Sequence, residues 1–331
     1  MKAKLILRNF ITQKLILSAV CISALSTFSI YSAEYAKDKS VASDLGILVD
    51  GKFDGRKYKG GHYVQVNEYT LPSDYKQGNR LIAYEGPGWE SDKVGYRLYL
   101  DERSVTDVWG KKLPAPVLHK VGRGESYHKM ADWGMDVLKV GKSLGIGGLG
   151  YYKNGDALQV GKAQSLSAKR LKPSEETAGV RVIHTGLANG TKKYDLATDY
   201  IIAQDSRVTK VNARVMGDAP IMAAGLVLHK NVNIIEVDKE HTRSTWAYIG
   251  TYGKQSLNDD NLGLAMFYPK SAIQAIKKDE HSLFITFKEN TEIEYAFAAS
   301  WQGEPNSPEN LGAFKTYMAE TAAKLAYQAS H

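Results

Sequence analysis

The chain has one cysteine among its 331 residues, and that residue, Cys21, lies near the N-terminus. A segment beyond it can therefore form no disulfide and offers no thiolate as metal ligand or nucleophile. Proline is sparse at nine, and no Pro-rich or Gly/Ser-rich linker divides the chain. Apolar residues recurring at helical spacing are scarce. No H-x-H or H-E-x-x-H spacing occurs, and Asn258-Asp259-Asp260-Asn261 is too short for an EF-hand and lacks its glycine and distal glutamate. Neither a metal nor an organic cofactor is expected on these grounds. A strong basic footprint is missing too. The formal charge of +7 falls to +3 once Lys2, Lys4, Arg8 and Lys14 are set aside, which argues against a nucleic-acid partner.

Those four cations belong to a leader. They precede an apolar stretch from Leu15 to Ile30, interrupted by serines and followed by the small residues Ser32 and Ala33. A positive region, an apolar region and a small-residue cleavage region form the layout of a secretory signal, read here as residues 1–33. The run is too short and too rich in serine to span a bilayer, which takes ~20 apolar residues. No membrane anchor is expected after cleavage, and the mature protein is expected in the periplasm or outside the cell. Residues 34–331 then read as a single domain, long enough to bury an ordinary core.

What fills that domain is strand-like. In Val94–Leu100, residues Val94, Tyr96, Leu98 and Leu100 share one face, while Gly95, Arg97, Tyr99 and Asp101 share the other. Similar short stretches run at 81–84, 136–140, 180–184, 194–204, 207–216, 224–229, 233–237, 245–250, 262–268, 282–287 and 292–300. Many short strands with turns between them predict an all-β fold, an antiparallel two-sheet β-sandwich. A C-terminal helix capped by Ser307, with Pro308 in its first position and Leu311, Phe314, Tyr317, Met318 and Leu325 on one stripe, is expected to dock on a sheet. A second, short helix is expected from Ser271 to Lys278.

Between Tyr127 and Tyr152 the chain concentrates His, Asp, Trp, Lys and glycine. Gly145, Gly147 and Gly150 satisfy the G-x-G-x-x-G spacing of a dinucleotide site, but that motif needs a helix next. Instead β-favouring residues flank Asn154-Gly155, a dipeptide suited to a two-residue hairpin turn. Gly141-Lys142-Ser143 resembles the end of a P-loop, yet Asp136 stands where its first glycine belongs. The glycines are read as bends or close approaches between strands, or as shapers of a ligand cleft.

The sequence Trp89-Glu90-Ser91-Asp92, Gly95-Tyr96-Arg97-Leu98-Tyr99, Asp107-Val108-Trp109, Tyr127-His128, Trp133-Gly134-Met135-Asp136 and Gly145-Ile146-Gly147-Gly148 resembles a bacterial family known as a domain of unknown function. Its members sit among secreted polysaccharide-degradation proteins and include an ulvan-oligosaccharide dehydratase-like group. The resemblance implies the large sandwich shared by galactose mutarotases and several polysaccharide lyases, and a dehydratase or lyase acting on an acidic oligosaccharide. A non-catalytic sugar-binding or mutarotase-like protein is the alternative.

Elimination next to a uronate carboxylate needs that charge neutralised, a base for the acidic C–H proton, and an acid for the leaving oxygen. Arg97 or Lys142 are candidates for the first role, His128, His184 or His229 for the second, and Tyr99 or Tyr127 for the third. Trp89, Trp133 and Trp301 offer ring faces for a sugar, and Asp136 can orient a histidine, accept a sugar hydroxyl or satisfy a turn. Ordinary accounts compete: a salt bridge on a wet sheet face for Arg97, Tyr99 and Asp101, a hydrogen-bonded core position for His184 and His229, and partial core burial for the tryptophans. The oligomeric state is not legible.

Overall fold

A computed structural model describes residues 40–124, 126–236 and 244–331. The leader, Cys21 and His241 lie outside the described residues. Ser40–His331 groups as one unit, and its architecture is an all-β sandwich of antiparallel sheets with one C-terminal helix.

The sheet that carries the site has five antiparallel strands, β1 (Ala42–Asp44), β2 (Gly88–Glu90), β3 (Val94–Leu98), β4 (Thr106–Lys111) and β5 (Gly134–Asp136), each paired with the next, and β2 to β5 form a meander. A second five-stranded sheet is ordered 156–159, 146–153, 222–227, 282–287, 273–278. The third has nine strands, running from Asn233–Glu236 at one edge through Trp246–Lys254, Asn261–Pro269, Glu292–Trp301 and Val208–Gly217. It continues through Lys192–Ala203, Thr177–Asn189 and Ser165–Arg170 to Glu68–Thr70. Two small ribbons, Gly46–Val49 with His62–Gln65 and Lys52–Phe53 with Tyr58–Lys59, complete the fold.

Period-two alternation decides what each face of the meander meets. Trp89 and Tyr96 point to the nine-stranded sheet. Trp89 stacks on Tyr200 at 4.9 Å and its Nε1 donates to Thr209 Oγ1 at 2.9 Å. The Tyr96 hydroxyl donates to the Arg207 carbonyl at 2.6 Å and accepts from Ala299 N at 2.8 Å. A buried phenol with both partners in place costs nothing in unmet hydrogen bonding and fixes the two sheets in register.

The opposite face, carrying Gly95, Arg97, Asp107, Trp109 and Lys111, is also buried. This overturns the expectation of a wet face. The segment between β4 and β5 folds back as a roof, and Val117, Leu118 and Val121 close over Trp109 together with Ala83 and Tyr84. Glu90 holds that roof from beneath: its carboxylate accepts from the amides of Val117 and Leu118 at 2.9 Å and from Lys111 Nζ at 2.8 Å. Glu90 and Lys111 are both fully buried.

The glycines after Leu144 are bends among strands. The strand Ile146–Lys153 carries a bulge between Ile146 and Gly148. At Gly147 φ is +66°, and a Cβ there would stand 2.2 Å from the Phe297 ring. The Asn154-Gly155 turn closes a hairpin on the Lys153–Asp156 pair, with both turn residues at positive φ.

Four local expectations are corrected. Of the stretch 136–140 only Asp136 is in a strand, as the last residue of β5. Ile273–Lys278 is an edge strand, not a helix, because it pairs with Ser282–Phe287. Residues 83–85 form a tight 3-10 turn rather than a strand. The C-terminal helix, α1 (Leu311–Ala329), starts later than Ser307–Pro308 suggested: Asn310 is its cap, accepting from Ala313 N at 3.0 Å. Its buried stripe, Phe314, Met318, Ala322 and Leu325, docks against Trp246, Tyr252, Ala265 and Phe267.

Candidate functional site

Strand register alone builds the centre of the site. Arg97 on β3 lies opposite Asp107 on β4, and Trp109, two residues along the same face of β4, lies opposite Asp136 on β5. Both carboxylates therefore converge on one guanidinium. Arg97 Nη2 donates to Asp107 Oδ2 at 2.6 Å and to Asp136 Oδ2 at 2.9 Å, and also to the Tyr99 hydroxyl, which in turn donates to Asp107 at 2.9 Å. Nη1 donates to the Tyr84 carbonyl at 3.0 Å. The rings of Tyr99, Trp109 and Tyr127 stand 4.2, 4.6 and 5.2 Å from the guanidinium carbon, so the cation is wrapped in π-faces as well as carboxylates.

The cluster holds more negative than positive charge, with one cation against two carboxylates in a dry setting. Burial, and then the neighbouring Asp136, push Asp107 up to about 6. Burial holds the Tyr99 phenol far above its ordinary value.

His128 completes the arrangement from outside. The amide of Asp136 donates to the Tyr127 carbonyl at 2.9 Å, folding the roof segment back so that Tyr127 and His128 meet the end of β5. His128 Nδ1 then stands 3.2 Å from Asp136 Oδ2, with Asp136 only 2% exposed and the imidazole 58% exposed. The hydrogen bond to Asp136 raises the histidine above its usual value. An Asp–His pair of this kind fixes the tautomer, because Nδ1 carries its proton toward the carboxylate and Nε2 is left as the free base.

Tyr127 and His128 open onto a cleft of about 820 Å³. Its other walls come from the two small ribbons and the roof, contributing Tyr58, Tyr63, Tyr84 and the cations Lys57, Lys59, Arg80 and Arg123, against a single carboxylate, Glu85, among the described residues. Arg123 is held by Asp44 at 2.9 Å and by the Leu118 carbonyl at 2.7 Å. Burial raises the Tyr127 phenol, partly offset by Arg97.

The structure brings His128, Asp136, Arg97, Tyr99 and Tyr127 together, with Trp133 beside them on Trp109, and separates the other candidates from them. Trp89 and Trp301 are core residues with no face for a sugar; Trp301 Nε1 donates to Asp260 at 2.7 Å. Trp133 is half-buried against Trp109 at 6.2 Å. His184 is buried in the nine-stranded sheet with Nε2 2.6 Å from Ser104 Oγ, and burial pushes it down to about 4, so it is neutral and sealed. His229 is half-buried beside the Lys139 backbone and lowered by burial, while Lys142 projects from an exposed turn. None of these three lines the cleft. Arg97 cannot neutralise a substrate carboxylate, since two protein carboxylates already take its charge. Nor does Tyr99 face outward, because its proton is committed to Asp107.

Asp107, Trp109, Tyr63, Arg80 and Arg123 were not singled out as site residues from sequence. The alternation of Asp107, Trp109 and Lys111 along β4 was a usable signal for the first two. Among the described residues no group of three or more His, Cys, Asp or Glu side chains is arranged to hold a metal. Arg97 fills the space between the two carboxylates.

The fold and site thus define a class: an all-β sandwich with a buried Arg–carboxylate cluster that presents an Asp-held histidine to an open, cation-lined cleft. The chain belongs to the family described as a domain of unknown function, DUF4861, whose model matches residues 24–329. No curated protein matches it.

Proposed function

We propose that the protein is an exported carbohydrate-active enzyme that acts on acidic, uronate-containing oligosaccharides by elimination, as a dehydratase or lyase in polysaccharide degradation. The observation that carries this reading is the Asp136–His128 pair standing at the edge of a cleft whose described walls hold four Lys or Arg side chains and one carboxylate. An anionic, hydroxyl-rich chain suits such a surface. The leader layout of residues 1–33 supports export, and no helix among the described residues is long and apolar enough to cross a membrane.

In this reading Nε2 of His128 takes the proton from the carbon next to the substrate carboxylate. The electron pair passes into the carboxylate as an enediolate, then forms the C=C bond as the β-oxygen departs. Tyr127 supplies the proton to that oxygen, and the proton held on His128 restores it. Asp136 stabilises the imidazolium, with Arg97 holding Asp136 in place.

Purified protein incubated with ulvan, alginate and pectin oligosaccharides, followed by mass and by absorbance in the enol-ether band, tests the proposal. Loss of one water supports a dehydratase, and cleavage with new absorbance supports a lyase. Binding without either change across the panel would favour a non-catalytic sugar-binding protein and overturn the enzymatic reading.

A further inference from the structure

The commitment of Arg97 to Asp107 and Asp136 leaves the substrate's own charge without its expected partner. Four other cations line the cleft. Lys59 is paired with Asp54 at 2.9 Å, and Arg123 with Asp44. Among the described residues no carboxylate pairs with Arg80 or Lys57, and Arg80 is exposed.

Arg80 is nevertheless firmly placed. Its backbone sits at φ +68°, a left-handed conformation that disfavours a side chain such as arginine. The surroundings enforce it. The Tyr63 hydroxyl donates to the Arg80 carbonyl at 2.8 Å. The buried Asn79 accepts from Leu81 N through Oδ1 at 2.9 Å, and from Tyr58 N through its carbonyl at 2.8 Å. That last bond joins the Tyr58–Lys59 ribbon to the Arg80 segment, so Lys57 and Arg80 flank one backbone contact. Tyr63 and Arg80 line the same cleft as Tyr127 and His128.

We infer that Arg80, with Lys57 beside it, receives the substrate carboxylate whose neighbouring C–H loses its proton. The inference rests on the elimination reading and names the residue that elimination requires. A guanidinium binds both oxygens of a carboxylate, and its hold tightens as charge develops on them in the enediolate. Its loss should therefore lower kcat as well as raise KM.

Turnover and calorimetric binding on free-acid uronate oligosaccharides and on their methyl esters, compared across wild type, Arg80→Asn, Arg80→Lys and Lys57→Ala, test this. Asparagine tolerates the left-handed backbone, so Arg80→Asn separates charge from folding. Wild type should prefer the free acid. Arg80→Asn should lose about ten- to a hundredfold in kcat/KM on the acid and treat acid and ester alike, with Arg80→Lys recovering part of the preference. An Arg80→Asn protein that still prefers the acid as wild type does would overturn the inference while leaving the elimination reading intact. Wild type that binds uronate without turnover defeats the elimination reading, and the binding preference of Arg80→Asn then decides the inference. Wild type that does neither defeats both.

Discussion

Asp136 and His128 form a pair with one foot in the core and one in the cleft: Oδ2 of the buried carboxylate faces Nδ1 of the exposed imidazole at 3.2 Å. The histidine's charge is therefore set by a residue that solvent barely reaches.

The first prediction concerns that charge. A base must be neutral, and Asp136 raises His128 above its usual value of 6.5, so activity should climb with pH on a limb centred above that value. Asp136→Asn should move the limb down and lower kcat about a hundredfold, read from pH–rate profiles. His128's contribution to stability has the opposite slope: present in full below the unfolded value, it is lost as pH rises through the raised one.

Arg97 should prove structural first. Arg97→Met leaves Asp107 and Asp136 buried without their cation, and urea unfolding should show a loss of roughly 3–5 kcal/mol. A loss under about 1 kcal/mol would mean that the cluster behaves as a surface salt bridge.

Gly147 offers a test of the bulge. Gly147→Ala forces a Cβ into the Phe297 ring at a positive-φ position, for an expected loss of roughly 2–4 kcal/mol. The double variant with Phe297→Ala should show positive coupling, because the steric clash disappears while the backbone strain stays.

The start of α1 separates two caps. Asn310→Ala should cost about 1 kcal/mol, whereas Ser307→Ala should stay within about 0.5 kcal/mol. Thermal unfolding of the two variants checks the order.

Much of the β framework was readable because strands with one polar face declare themselves, as Lys192–Ala203 and Val208–Gly217 do through strict alternation. The Asn154-Gly155 turn was equally legible, since its chemistry is local. Ile273 and Ile276, three residues apart, imitated a helix, and only pairing with Ser282–Phe287 made them a strand. The site was half legible for a related reason. His128 and Asp136 are near in sequence, but the burial of Arg97 depends on a roof drawn from 112–133, and nothing in the alternation of β3 announces a cover on its second face. The core tryptophans were misplaced as platforms because a large ring gives no local hint of which side of a sheet it takes.

The buried Glu90–Lys111 pair beneath the roof has a mechanical meaning. A wall fastened at Val117 and Leu118 by charge-assisted bonds, in a place water does not enter, keeps its shape whether or not the cleft is filled. Arg123 thus stands on the fixed jaw. Another wall of the cleft is the ribbon of Lys52–Phe53 and Tyr58–Lys59, joined beside Arg80 by the Tyr58–Asn79 bond. On the elimination reading, His128 and Arg123 work from that braced wall, while Arg80 and Lys57 receive the carboxylate at the ribbon.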